Sequence, residues 1–199
     1  MSFVKGDIGE DLWCDYIKKR GHTDIIRAPK KKFYDWDVKS IYKKEELTFE
    51  VKYDSKAYWW ANRRGTPEEP NLYIEFKNTN KDEDSGIKAS KAMYYIYILK
   101  RDESNTAFVF ERKGMLSHLE QVTYKTVGNS ATGDDNALGW IPPLHQLVTQ
   151  PFFINKIVIN LFIQNWYTFT IKLVITFKIF AFNFISIFKM SCNLIIFSI

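Results

Sequence analysis

The chain has 199 residues, a formal charge of +5, 46% hydrophobic residues and 17% aromatic residues. This length suits one domain with an added segment, and the aromatic content excludes disordered and collagen-like chains. Two distant cysteines, Cys14 and Cys192, and three histidines support neither a disulfide framework nor a structural zinc site. The first residues also lack the apolar run of a secretory signal. We therefore predict a reducing, cytoplasmic environment.

The composition changes at residue 151. Residues 151–199 contain no Asp, Glu or Gly, and all 23 acidic residues lie in residues 1–150. Four of the 28 Lys and Arg residues are lysines of this tail, which leaves 24 cations against 23 acids and a charge of +1 for residues 1–150. We therefore predict a domain over residues 1–150 and a separate hydrophobic tail over residues 151–199, rich in Phe, Ile, Asn and Lys.

Three interpretations of this tail stay open. Lysines divide its first part into apolar runs of 15, 5 and 10 residues, shorter than the roughly 20 residues of a membrane-spanning helix. Because lysine can snorkel, a membrane-associated segment is the first interpretation. The second is an element packed on the domain. The third is translated, non-native sequence, since these residue types have A/T-rich codons.

Periodicity predicts the first elements of the domain. Apolar residues at helical spacing predict a helix over 7–20, with Gly21 as its C-terminal stop. A β-prone segment over 37–42 and an alternating segment over 47–53 predict a hairpin, joined by KKEE. A further alternating segment over 71–77 predicts a third strand, which follows a loop rich in Trp, Asn, Arg, Gly and Pro.

The remaining elements complete the domain. Residues 85–92 predict a turn and a short helix, and the apolar run over 94–99 predicts a strand covered on both faces. Residues 107–111 continue the sheet, 114–121 predict a final helix and 140–147 an extended closing segment. The order of the first six elements is α, β, β, β, α, β, which indicates an α/β fold.

Asp37, Glu50 and Lys52 form the most informative pattern. Since side chains alternate along a strand, Glu50 and Lys52 share one face, and Asp37 begins the neighbouring strand. Two converging carboxylates offer the hard oxygen ligands that Mg²⁺ prefers, and such an ion can activate water and stabilise charge on a phosphodiester. Glu-x-Lys on an exposed strand and Asp at a strand start are also ordinary surface features.

The segments DWDV and TFEVK, on successive predicted strands, resemble the PD-(D/E)XK nuclease superfamily. GDIGE, NLYIEF and SGIKASKAMYYIYI are similar to nuclease domains of phages and viruses, so the resemblance covers residues 5–147. It implies a restriction-endonuclease-like αβββαβ core, in which helices flank a mixed central sheet. It also implies a place in the host cytoplasm.

The resemblance further implies roles for individual residues. Asp37, Glu50 and the Val51 carbonyl would bind Mg²⁺, or Mn²⁺ in its place, and Lys52 would be the catalytic lysine. Glu10 would match the glutamate that many members direct from the first helix toward the metal-bound water.

Several alternatives to these roles stay open. Asp35 competes with Asp37 as the metal ligand, and we prefer Asp37 because Val38 follows it into the strand. Asp7 and Glu10 also have the spacing of a capping-box variant, in which Glu10 would only bond the helix end. Glu75 would either add a ligand or point into solvent, and we prefer solvent.

Phosphate contacts need local positive charge, and two segments beside the predicted site provide it. The first, RAPKKK, contains Lys30, Lys31 and Lys32. The second, YWWANRR, contains Trp59, Trp60, Arg63 and Arg64, a combination that suits base stacking. Lys91 on the predicted short helix is a weaker candidate. A solvated charge run for the first segment and a core anchor for the two tryptophans are the alternatives.

These features predict a metal-dependent deoxyribonuclease that hydrolyses phosphodiester bonds, an endonuclease rather than an exonuclease. One site cuts one strand, so cleavage of duplex DNA or resolution of a Holliday junction would require a homodimer. The alternative is a non-catalytic nucleic-acid-binding or membrane-anchored protein, in which Glu50 and Lys52 form an ion pair.

Overall fold

The computed structural model describes residues 3–29, 35–128 and 136–159. The helices in these ranges are α1 (Phe3–Lys19), α2 (Ala57–Arg63), α3 (Gly86–Ala89), α4 (Arg112–Gln121) and α5 (Leu144–Leu147). The strands are β1 (Thr23–Arg27), β2 (Val38–Tyr42), β3 (Glu45–Asp54), β4 (Ile74–Asn78), β5 (Glu83–Asp84), β6 (Tyr94–Arg101), β7 (Ser104–Glu111), β8 (Thr126–Gly128), β9 (Ala137–Trp140) and β10 (Phe153–Ile159).

A six-stranded central sheet organises the molecule, with the strand order β1-β2-β3-β6-β7-β10. The pair β3 and β6 is parallel, and the other neighbouring pairs of this sheet are antiparallel. A second, antiparallel sheet has the order β5-β4-β9-β8. The predicted α/β class with a mixed central sheet is therefore confirmed.

The two faces of the central sheet carry separate cores. One face packs against α1. The core between them includes Leu12, Trp13 and Ile17 of α1 and Phe49, Val51, Ile96 and Ile98 of the sheet. The other packs against the second sheet and the shorter helices, with Leu72, Ile74, Ile87, Tyr95, Tyr97, Met115 and Leu119. Because side chains alternate along β3, Glu50 and Lys52 project from this second face, opposite α1.

The hairpin of β2 and β3 has the predicted position but a shorter turn. Lys43 and Lys44 are its two central residues, with φ angles of +50° and +72°. Two positive φ angles match the twist of a two-residue hairpin turn. Tyr42 therefore pairs directly with Glu45, and both glutamates of KKEE belong to β3.

Three predictions about the fold were wrong. The strand predicted over residues 71–77 is β4, which pairs with β5 and β9 in the second sheet rather than extending the β2–β3 hairpin. The third strand of that meander is β1, which was not predicted. The predicted loop after β3 contains the helix α2, and the closing segment predicted over 140–147 begins at the last residue of β9 and contains α5. The partner of β4, the strand β9, is distant in sequence, so local periodicity could not reveal that pairing.

The central sheet continues past residue 150. Strand β10 pairs with β7 from Phe153 to Ile159, so the first part of the predicted tail belongs to the sheet, and the boundary predicted at residue 150 falls short of its last strand. Residues 153–159 join the sheet through backbone hydrogen bonds with β7, although their composition is that of the tail. The rest of the predicted tail, residues 160–199, lies outside the described residues. In the described part of the chain no helix has the length and apolar character needed to cross a membrane.

Gly9 allows α1 to approach β3 closely. A Cβ atom at Gly9 would lie 2.8 Å from the Cβ of Tyr53 and 3.5 Å from Cγ1 of Val51, whereas one at Gly6 would meet no described atom within 4 Å. Glu10 follows directly on the same helix. The close approach therefore helps to fix the distance between Glu10 and β3.

We expect Gly9→Ala to be less stable than Gly6→Ala. Both changes gain the same helix propensity, but only the first forces α1 away from β3, and overpacking of this kind costs about 1–3 kcal/mol. Urea unfolding of the two variants measures the difference directly, with Gly6→Ala as the matched control. Equal free energies of unfolding would contradict the close approach.

Candidate functional site

Asp37, Glu50 and Lys52 converge on one point of the central sheet. The Nζ atom of Lys52 lies 2.6 Å from Oε1 of Glu50 and 3.9 Å from Oδ2 of Asp37. Asp37 lies just before β2, where its backbone N–H donates to the Phe49 carbonyl at 2.9 Å. Its Oδ2 accepts a hydrogen bond from the Val51 N–H at 2.8 Å. The carboxylate thus continues the β2–β3 ladder beyond the end of β2.

The pKa values of Glu50 and Lys52 depend on each other and on the charge of Asp37. Glu50 is only 6% exposed, and burial raises its pKa, an effect that Lys52 opposes and Asp37 reinforces. Burial alone would lower the pKa of Lys52, but the negative charges of Glu50 and Asp37 outweigh burial and raise it well above the ordinary value. Lys52 is therefore an ammonium ion across the physiological pH range.

Tyr95 also belongs to this site, and sequence reasoning missed it. It lies directly opposite Glu50 on the parallel strand β6 and is fully buried, and its hydroxyl has no hydrogen-bond partner among the described residues. Burial raises the pKa of Tyr95; Lys52 opposes this, while Glu50 and Glu75 add to it. Glu75 is half-buried on β4, so its charge acts on the site rather than only on solvent.

Glu10 is held by Arg27, a residue of the unpredicted strand β1. Arg27 Nε donates to Oε2 of Glu10 at 2.8 Å, and its guanidinium also contacts Asp7 and Asp11. Since α1 begins at Phe3, Asp7 and Glu10 are both inside the helix, and the capping-box interpretation is wrong. Burial raises the pKa of Glu10; Arg27 opposes this, while the nearby charge of Asp37 adds to it.

Asp35 and Asp37 face different partners. Oδ2 of Asp35 lies 3.1 Å from Nζ of Lys91, and the Asp35 carbonyl accepts from the Lys91 N–H at 2.7 Å. Asp35 therefore joins the segment between α3 and β6, whereas Asp37 joins Glu50 and Lys52. Lys91 is exposed, and its ion pair with Asp35 neutralises part of the charge that a phosphate would meet.

The oxygen ligands at this site fit a divalent cation of the Mg²⁺ type. The carboxylates of Asp37 and Glu50 approach the same ammonium group. The Val51 carbonyl points to the same strand edge as its N–H, which donates to Asp37. Within the described ranges no cluster of three or more His, Cys, Asp or Glu side chains could hold a metal. A cation here would bind two carboxylates, a carbonyl and water, as Mg²⁺ commonly does.

Of the two basic segments, the one that contains Trp59 and Trp60 lies within the described residues. Lys30, Lys31 and Lys32 lie outside the described residues. The second segment forms α2, where Ala57 and Ala61 are buried while Trp59 and Trp60 are 49% and 40% exposed. The interpretation of the two tryptophans as a core anchor is therefore wrong. Arg63 and Arg64 are exposed beside them.

The fold and this cluster define an α/β protein with a mixed six-stranded sheet and a carboxylate–lysine site on one face. Comparisons of the chain with protein-family models, with curated proteins and with solved structures found no match. The function must therefore be argued from the site.

Proposed function

We propose that this protein is a metal-dependent nuclease that hydrolyses phosphodiester bonds in DNA, acting as an endonuclease. The observation that carries the proposal is the convergence of Asp37 and Glu50 on the Nζ atom of Lys52. A buried carboxylate, a second carboxylate and an ammonium in one place supply both metal ligands and a cation for a phosphate group. The resemblance of DWDV and TFEVK to PD-(D/E)XK nucleases supports the same chemistry.

The order of the elements around the site also supports this resemblance. Helix α1 is followed by the antiparallel strands β1, β2 and β3, then by α2, β4, β5 and α3, and then by β6, which is parallel to β3. If β4 and β5, which belong to the second sheet, are set aside, this order is similar to the αβββαβ order that the resemblance implies, with β1 in place of the strand expected over residues 71–77. Strands β7 and β10 extend the sheet on the side away from Asp37.

Each residue of the site has a definite chemical task in this proposal. Asp37, Glu50 and the Val51 carbonyl would hold Mg²⁺ or Mn²⁺. The bound ion would lower the pKa of a water molecule and stabilise negative charge on the phosphate. In the metal-free site the negative charges of Glu50 and Asp37 raise the pKa of Lys52, so this ammonium would donate a hydrogen bond to a phosphate oxygen rather than act as a base.

Glu10 is the candidate proton acceptor, and since α1 packs on the face opposite Glu50 and Lys52, it would act from the end of β2, where the charge of Asp37 reaches it. Burial raises its pKa, and a carboxylate with a raised pKa is a better base near neutral pH. Arg27 holds this side chain through two nitrogen atoms, Nε at 2.8 Å and Nη2 at 2.7 Å. Arg27 is thus a positioning residue for Glu10.

A non-catalytic nucleic-acid-binding protein is the second candidate function. The direct contact of 2.6 Å between Lys52 and Glu50 is also what a structural ion pair requires. In that case the exposed cations would bind nucleic acid without cutting it. The two candidates differ in one observable, the cleavage of the bound strand in the presence of a divalent cation.

The test is a cleavage assay with the full chain. Labelled single-stranded, duplex and four-way-junction DNA, and RNA of the same sequence, are incubated with Mg²⁺, with Mn²⁺ or with EDTA. We expect cleavage of DNA that requires the cation and falls on the order of 10²-fold or more in Asp37→Asn. Asp35→Asn is the matched control, since Asp35 pairs with Lys91, and it should cut as the wild type does.

Two outcomes of this assay would contradict the proposal. Binding without cleavage under either cation would favour the second candidate function. Equal cleavage by Asp37→Asn and the wild type would remove the proposed metal site.

Cleavage of the duplex or the junction on both strands should be accompanied by a homodimer in sedimentation, because one site cuts one strand.

A further inference from the structure

The surface formed by Trp59, Trp60 and Arg63 on α2 has no task in the proposed chemistry. The two indole rings meet edge to face, with their centroids 4.5 Å apart, and both remain substantially exposed. The helix is anchored by the small buried residues Ala57 and Ala61. The tryptophans therefore do not serve the core, and paired exposed aromatic side chains are typical of a binding surface.

The charge of this surface indicates an acidic partner. Residues 56–66 contain Lys56, Arg63 and Arg64 but no acidic residue. The guanidinium carbon of Arg63 lies 4.8 Å from the centroid of the Trp59 ring, so a cation and an aromatic face are presented together. Of the acids that follow α2, Glu68 already forms an ion pair with Arg101.

We propose that this α2 surface binds single-stranded nucleic acid, by stacking unpaired bases on Trp59 and Trp60 while Arg63 and Arg64 contact phosphates. Aromatic rings beside arginines are the usual means of holding a single strand. Base pairs within a duplex are already stacked on each other and do not offer their faces. The surface therefore selects unpaired nucleotides over a continuous duplex.

The position of α2 connects this surface to the proposed nuclease site, and this step rests on the proposed function. Helix α2 begins at Ala57, five residues after Lys52. Five residues span at most about 18 Å, and Trp59, two residues further, lies at most about 25 Å from Lys52, which corresponds to about seven steps of 3.4 Å between stacked bases. A strand bound at Lys52 can thus reach α2, so the substrate would be DNA with an unpaired segment beside the cut.

The binding test uses the full chain in EDTA, so that no strand is cut. Fluorescence anisotropy of a labelled oligo(dT) and of a duplex of equal length gives the two affinities. We expect tighter binding of the single strand, and a loss of about tenfold or more in the double variant Trp59→Ala/Trp60→Ala. The control, Ile154→Ala/Val158→Ala, removes two apolar side chains of β10 that are 51% and 57% exposed and should bind as the wild type does. Thermal unfolding of each variant checks that it is folded.

The outcomes separate this inference from the proposed function. If the folded double variant binds oligo(dT) as the wild type does, or if the duplex binds more tightly, the α2 surface is not a single-strand site, whatever the protein cuts. A loss of dimerisation with unchanged DNA binding would assign the surface to a protein partner. If the variant loses single-strand binding and no cation supports cleavage, the α2 surface stands and the nuclease proposal fails.

Discussion

Replacing Glu50 with Gln is expected to reduce cation-dependent cleavage on the order of 10³-fold while leaving the chain folded. The substitution keeps the shape of the side chain and removes a carboxylate that is 6% exposed. Burial and the charge of Asp37 raise the pKa of Glu50, so the substitution relieves a buried negative charge. It also leaves Lys52 with Asp37, 3.9 Å away, as its remaining carboxylate contact among the described residues, and we therefore expect a smaller loss of stability than for Lys52→Ala. It removes one of the two carboxylate ligands, however, which the proposed chemistry requires.

Cleavage rates under saturating Mg²⁺ and urea unfolding at the same pH give the two readouts. Glu46→Gln is the matched control, because Glu46 lies on the same strand and its ion pair with Lys39, at 3.1 Å, is at the surface. This control should change neither readout appreciably, since surface ion pairs contribute about 0–1 kcal/mol. Cleavage by Glu50→Gln at the wild-type rate would exclude Glu50 from the metal site.

The core of the candidate site was predictable because it depends on local rules. Alternation along one strand predicts that Glu50 and Lys52 share a face, and the short spacing from Asp37 predicts an adjacent hairpin strand. The hairpin register then brings Asp37 beside Val51, whose N–H donates a hydrogen bond of 2.8 Å to the Asp37 carboxylate.

Features that depend on distant pairing were not predictable in the same way. Strand β1 is short and mostly exposed, and it contains Asp24 with a φ angle of +47°, so it lacks the alternation by which strands are recognised. Without β1, the partner of Glu10 could not be named, and a capping role for Glu10 remained open. Tyr95 was missed for a related reason. Within YYIYIL it resembles the other apolar strand residues, and only the parallel pairing of β3 and β6 places it opposite Glu50.

The exposure of Trp59 and Trp60 could not be predicted from hydrophobicity. Ala57 and Ala61 are four residues apart and form the buried side of α2, a spacing that places them on one helical face. Hydrophobicity alone favours the two tryptophans as anchors. The two alanines take the buried side, and both tryptophans are exposed.

Replacing Lys52 with Ala is expected to lower the free energy of unfolding by about 3 kcal/mol at pH 7, because a buried carboxylate then loses its only close cation among the described residues. The estimate is at the low end of the range for broken buried pairs, since the Lys52 side chain is 36% exposed. Removal of the ammonium should also raise the pKa of Glu50 further.

The sign of the pH dependence follows from that rise. With a folded-state pKa above the ordinary value of 4.5, the folded variant binds more protons than the unfolded chain, so its stability falls as pH increases through that window. The deficit of Lys52→Ala should therefore shrink as the pH is lowered from 7 toward 5. Urea unfolding of the variant and the wild type across this range measures it.

The double variant Glu50→Gln/Lys52→Met distinguishes an enclosed ion pair from a solvent-exposed one. It removes both charges, so we expect most of the stability lost in Lys52→Ala to return and the added pH dependence to disappear. Wild-type stability of Lys52→Ala at pH 7 would mean that water reaches Glu50 freely. In that case the site could not strengthen the interaction between Lys52 and a phosphate, because that gain depends on the exclusion of water.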